Sequence, residues 1–96
     1  MEYTTITTWE LLDAVDFDLT MQRIRDKRLP ALRELGASRV SVVRTSERTL
    51  AAISEWPDKP TRDAAELAIN SVRKKVKTED HTRMTGEFAG EVVARA

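Results

Sequence analysis

The chain contains no cysteine, so it can form neither a disulfide nor a thiolate metal site, and a reducing compartment suits it. It carries no net charge: 16 Lys and Arg offset 16 Asp and Glu, leaving no overall field to draw it to nucleic acid or an anionic membrane. No apolar run approaches the roughly 20 residues that span a bilayer. The opening MEYTTITTWE has neither the basic start nor the apolar stretch of a signal peptide, and the expected location is the cytoplasm. No phosphate-binding loop and no serine–histidine–acid set stands out. What is present is a globular composition, 33% charged and 41% hydrophobic, in 96 residues, which is enough for one domain with a single core.

The organising stretch is SRVSVVRTSERTLAAISEW, residues 38–56. It reads as two strands, Arg39–Thr45 and Thr49–Trp56, folded back around Ser46-Glu47-Arg48. Val40, Val42, Val43, Leu50 and Ile53 fall on both parities, so neither face of this hairpin is made for water. Helices can cover one face. A second copy of the chain is expected to cover the other.

Tyr3 to about Leu12 forms the first strand, with Tyr3, Thr5, Thr7 and Trp9 on one face. Two aromatics with hydroxyls between them suit a semi-polar cavity as well as a core, since buried hydroxyls need partners. Asp13, Asp16 and Asp18 could be read as metal ligands, but they lack the glycine and distal glutamate of a calcium loop and fit helix capping better. The period is then helical from Asp18 to Leu35, with Met21, Ile24, Ala31, Leu32 and Leu35 on one side. Arg28 interrupts that stripe, either snorkelling at its edge or aimed at an anion. Pro30 is expected to kink or break the helix, and Gly36 to end it.

Residues 57–60 read as a stiff loop, followed by a helix from Thr61 or Arg62 to about Thr78, with Thr61 as its cap. Ala65, Ala68, Ile69, Val72 and Val76 make its buried stripe, and Arg73, Lys74, Lys75 and Lys77 read as a solvated face. The last strand is expected over Phe88–Arg95, with Gly90 allowing a bulge. The order β-α-β-β-α-β with right-handed crossovers gives an α+β, ferredoxin-like domain over residues 1–96: a four-stranded antiparallel sheet with two helices on one face.

The element order, with TTITTWEL in the first strand, RLPALRELGA in the first helix and EWPDKPTRDAAE after the third strand, resembles the dimeric α+β barrel superfamily. Within it the chain is most similar to antibiotic-biosynthesis-monooxygenase-like domains. The resemblance implies two protomers packed sheet against sheet into a barrel, with the C-terminal strand pairing across the dimer in many members. Haem-degrading members use a first-strand asparagine and a tryptophan and a histidine on the second helix; the matching positions here, with about Ala65 and Lys75 for the latter two, lack all three. Quinone-forming members oxidise polycyclic phenols without a cofactor, in a pocket of Trp, His, Asn and Arg side chains.

Candidate site residues follow from both lines. His81 is the acid–base candidate, because its unperturbed pKa lies near neutrality, although its neighbours Glu79, Asp80, Thr82 and Arg83 fit an exposed position. Tyr3, Trp9, Arg44 and Trp56 are the expected pocket-lining residues. The function expected is a homodimeric small-molecule-binding domain for a small aromatic or lipophilic ligand. It needs no cofactor or metal and has no nucleic-acid or membrane partner. The alternative is a cofactor-independent oxygenase or isomerase-like enzyme on such a molecule.

Overall fold

Threonine and β-branched residues set the strands, and the position of each strand decides which of its faces is covered. In the computed structural model, which describes residues 1–12 and 14–96, β1 (Tyr3–Leu11) lies at the centre of a four-stranded antiparallel sheet. Beside it run β3 (Thr49–Trp56) on one side and β4 (Thr82–Glu91) on the other, with β2 (Arg39–Ser46) outside β3. Helices α1 (Phe17–Arg23) and α2 (Leu29–Glu34), joined by a π-helical turn (Ile24–Arg28), make one arm; α3 (Lys59–Ala64) and α4 (Glu66–Thr78) make the other. The arms pack on one face of the sheet, the expected ferredoxin-like α+β arrangement. Among the described residues no helix is long and apolar enough to cross a membrane.

Thr5, Thr7, Trp9 and Leu11 of β1 point under the helices and are buried, alternating with less buried neighbours. Two apolar clusters fill the layer. One joins Trp9, Leu11, Ile24 and Leu50; the other joins Ala37, Trp56, Ala65 and Ile69.

The first arm departs from its expected form in an informative way. Asp16 caps α1, its carboxylate accepting the Leu19 N–H at 3.1 Å, and Asp18 stands in the first turn; Asp13 lies outside the described residues. Pro30 does not break the arm. The ladder changes register just before it, where the Leu29 N–H reaches back five residues to the Ile24 carbonyl. Pro30 then falls in the opening turn of α2, where a proline is tolerated. In an unbroken α-helix Ile24 and Leu29 would stand about 140° apart; the wider turn brings both onto the sheet side. Gly36 ends the arm with φ 115, and a Cβ there would come within 3.1 Å of the Thr61 methyl.

Four further expectations are corrected. The second arm starts earlier: Asp58, not Thr61, is the cap, accepting the Thr61 N–H at 2.8 Å, and residues 59–60 are helical. It also bends at Ala65, which leaves the helical region (φ −94, ψ 3), so the arm is two helices. The last strand runs over Thr82–Glu91 instead of Phe88–Arg95. Thr82 pairs with Leu11 and Glu91 with Tyr3, and this long ladder outweighs the weak strand preference of residues 83–87. The bulge lies not at Gly90 but where Thr8 pairs with Gly86 and Trp9 with Met84, leaving Thr85 over. A Cβ on Gly86 would sit 2.8 Å from the Thr8 hydroxyl oxygen, so the strands meet closely there because residue 86 has no side chain.

The sheet face away from the helices is partly apolar. Pairing aligns Ser41, Ile53, Ile6 and Phe88 in one row and Val43, Ala51, Thr8 and Gly86 in the next. Phe88 is 64% exposed and Val43 47%. Ion pairs Arg39–Glu55 and Arg83–Glu10 flank this band.

Candidate functional site

The layer between sheet and helices holds a cavity of about 70 Å³. β1 supplies Thr5, Thr7 and Trp9 because its odd residues face inward, and β3 supplies Leu50, Ala52, Ser54 and Trp56 by the same alternation in register. Ile24, Leu29 and Leu32 roof it from the first arm, Ile69, Val72 and Val76 from α4. The lining is mostly apolar with a few hydroxyls, the mixture that small-molecule sites use.

The hydrogen bonding of the two tryptophans differs. The Trp9 indole N–H donates to the Thr7 hydroxyl at 2.8 Å. The Trp56 indole N–H is buried with no partner among the described residues, and Trp56 is 1% exposed. An orphaned buried donor in a cavity wall is costly unless something supplies an acceptor.

Two arginines line the cavity, and both are committed. Arg28 donates through Nε to Asp80 at 2.9 Å and through Nη2 to Asp80 at 3.1 Å and Glu79 at 2.6 Å. Its pKa is raised above the ordinary arginine value, chiefly by the Asp80 hydrogen bond acting against desolvation. Glu79 is held below the usual carboxylate range by the Arg28 hydrogen bond. Arg28 therefore neither snorkels at an edge nor faces a free anion; it clamps the π turn to the segment before β4. Arg73, with 17% of its side chain exposed, pairs with Glu87 on β4 at 2.9 Å. Among the described residues the cavity lining includes no carboxylate, imidazole or amine.

Of the residues expected in the site, Trp9 and Trp56 line the cavity. Tyr3 does not; it packs half-buried against the Trp56 cluster, with the Lys59 ammonium 6.0 Å from its ring centroid. Arg44 is exposed beyond the Trp9 end, its guanidinium 3.6 Å over the Phe17 ring and bonded to the Ser46 and Glu47 carbonyls. His81 is exposed on the α4–β4 turn in the left-handed region (φ 54), where its carbonyl accepts the Leu12 N–H; the structure does not bring its imidazole to the cavity. Ser54, Arg73 and Leu29 were not anticipated. The β3 alternation points to Ser54 and the edge of the α4 stripe to Arg73, whereas no 3.6-residue period selects Leu29.

A second recess, an open cleft of about 380 Å³, lies between α4 and β4. Asn70, Arg73, Lys74 and Lys77 border it from α4, and Arg83 and Met84 from β4. Trp9 and Arg73 line cleft and cavity alike.

No protein-family model matches the sequence, and no curated protein is similar to it. Solved structures are similar in fold. SnoaB, a cofactor-independent oxygenase from Streptomyces nogalater, superposes with a TM-score of 0.75 at 11% identity, over 98% of this chain and 95% of that one. HapK from Hahella chejuensis gives a TM-score of 0.76 at 18% identity, over 100% and 96%. A dimeric ferredoxin-like protein from an uncultured marine organism gives 0.69 at 12%, over 99% and 90%. The likeness shows the fold, a ferredoxin-like α+β domain.

Proposed function

We propose that the chain is a homodimeric small-molecule-binding domain whose helix-covered cavity accepts a small aromatic or lipophilic molecule. The observation that carries this is an apolar cavity with a few hydroxyls whose lining includes Trp56, a ring with a buried, unpartnered N–H. A ligand with one acceptor atom would satisfy that donor while its body displaces water from apolar surface. The cavity's 70 Å³ is less than the roughly 150 Å³ that holds benzene in an engineered core, so filling it requires side chains at one end to move. The Trp9 end is the one that adjoins an open recess.

The exposed band around Ile6, Ile53 and Phe88 supports pairing with a second copy, and a structurally similar protein is itself dimeric. Such an interface should bury at least about 1,000 Å² in total. The alternative, a cofactor-independent oxygenase or isomerase-like enzyme, is less supported, because acid–base chemistry needs a proton acceptor within reach and the described lining offers none.

The test is a thermal-shift and tryptophan-fluorescence screen of one- and two-ring aromatic and short lipophilic compounds, with light scattering on the same sample. A rise in Tm with binders, lost in a folded Trp9→Ala variant, and a mass of twice 10.9 kDa are expected. No binder from the whole set would overturn the binding half. A monomer mass at micromolar concentration would overturn the dimer.

A further inference from the structure

The spacing on α4 carries more than the apolar stripe. Positions 65, 69, 72 and 76 face the sheet, while 70, 73, 74 and 77, also three or four apart, form the adjoining stripe and bear Asn70, Arg73, Lys74 and Lys77. That second stripe borders the open cleft, so Arg73, Lys74 and Lys77 are gathered at one recess, the two lysines exposed to solvent as the sequence suggests. Arg83 and Met84 border the cleft from β4, but the Arg83 guanidinium pairs with Glu10 on the other face of the sheet. Only Arg73 and Arg83 have carboxylate partners, Glu87 and Glu10. Among the described residues neither Lys74 nor Lys77 has an ion-pair partner, which leaves the cleft with excess positive charge on a chain of zero net charge.

The cleft also adjoins the cavity. Trp9 and Arg73 form the partition: each lines both spaces, and Trp9 is 6% exposed. The bulge at Thr85 falls beside this partition, since Trp9 pairs with Met84 immediately after it. An apolar chamber and a cationic recess thus share one wall made of an indole and a guanidinium.

We infer that the ligand is a small amphipathic acid, its apolar body in the cavity and its anionic group in the cleft among Lys74, Lys77 and Arg73. This rests on the proposed binding function and adds the chemical class. Arg73 already pairs with a carboxylate, that of Glu87, at 2.9 Å, so the geometry suits such a group. The two unpaired lysines supply the charge a second anion requires. A neutral ligand of the same shape uses only the apolar half.

The matched probes are phenylacetate and phenylacetamide, of equal shape and differing in charge. Phenylacetate should bind about tenfold or more tighter by fluorescence titration at low salt, because a charge-assisted contact is stronger than a neutral one. That advantage should shrink at high salt, since the lysines are exposed. Lys74→Gln with Lys77→Gln, both on the surface, should bring the acid to the affinity of the amide while leaving amide binding unchanged. Equal binding of acid and amide would overturn the amphipathic-acid inference and leave the binding function standing. Binding of neither probe, in a folded dimer, would overturn the inference and count against the function too. An acid preference that survives both lysine substitutions would also overturn it, because the anion would then lie elsewhere.

Discussion

The two ends of the sheet–helix layer are each built around a tryptophan, and they do opposite things. At the Trp56 end the ring is sealed among Ala37, Ala65 and Ile69, with Gly36 and Thr61 pressed together beyond it. Its N–H has no partner among the described residues. At the Trp9 end the N–H is satisfied by Thr7, the ring borders an open recess, and charged clamps replace small residues as the means of closure. The sealed end has an unmet hydrogen bond and no way out. The satisfied end has the opening. Tight sealing and access have been placed at different ends of one layer.

The comparison can be broken most forcefully at the clamp. Asp80, 0% exposed, holds the 8%-exposed Arg28 through two hydrogen bonds. Asp80→Ala leaves a buried guanidinium with only Glu79, and the expected loss is about 3 kcal/mol, the low end for a broken buried pair because one partner remains. Urea denaturation of both proteins measures it. A loss under about 1 kcal/mol would mean the Trp9 end is not held by charge.

A smaller effect sharpens the contrast between the rings. Trp9→Phe removes the donor to Thr7 and should cost about 1 kcal/mol beyond the change in ring size. Trp56→Phe removes an orphaned donor, so the same ring change there should cost less than at Trp9. Denaturation curves of the two variants side by side decide the point. Equal costs would show that the Trp56 N–H finds a partner in solution.

The smallest effect is on pH. Asp58, the cap of α3 near the Trp56 end, is held below the ordinary carboxylate range by its hydrogen bonds from Thr61. A depressed pKa adds stability that is present above the unfolded-state value and is lost as pH falls through the folded-state value. Tm should therefore decline as pH drops below about 4, and Asp58→Asn should flatten that decline. A slope identical to that of the unchanged protein would remove Asp58 from the account. Glu79, lowered by Arg28, acts in the same direction at the other end.

How much of this could be read from the sequence depended on the range of the interaction. Local rules succeed where one residue settles the matter: Gly36 ends the first arm, and the β1 alternation puts Thr5, Thr7 and Trp9 on one face. They mislead where a partner distant in sequence decides. Residues 82–87 look poor as a strand, yet β1 recruits them. Arg28 looks like a flaw in an apolar stripe until Asp80, 52 residues on, explains it. Leu29 reaches the cavity only because the helix changes period in front of Pro30, and no fixed-period scan allows for that. His81 was singled out for the chemistry of its side chain, but the fold uses its backbone, a left-handed residue at a turn. The candidate site was legible as a face of β1 and not as a set of contacts.

The central place of β1 also has a bearing on the order of folding. Hairpin β2–β3 closes over a short turn, and its pairing is local. The ladder between β1 and β4 instead joins Tyr3 to Glu91, a pairing of residues far apart in sequence. The chain must be synthesised through residue 91 before that ladder is complete, so the β4 wall of the cleft and the partition at Trp9 form after the hairpin. Until then one flank of β1 is an open strand edge, rich in threonine and able to pair with another chain. Because Thr8 meets bare backbone at Gly86, closing this ladder fits a hydroxyl into space that even a methyl group on residue 86 would fill.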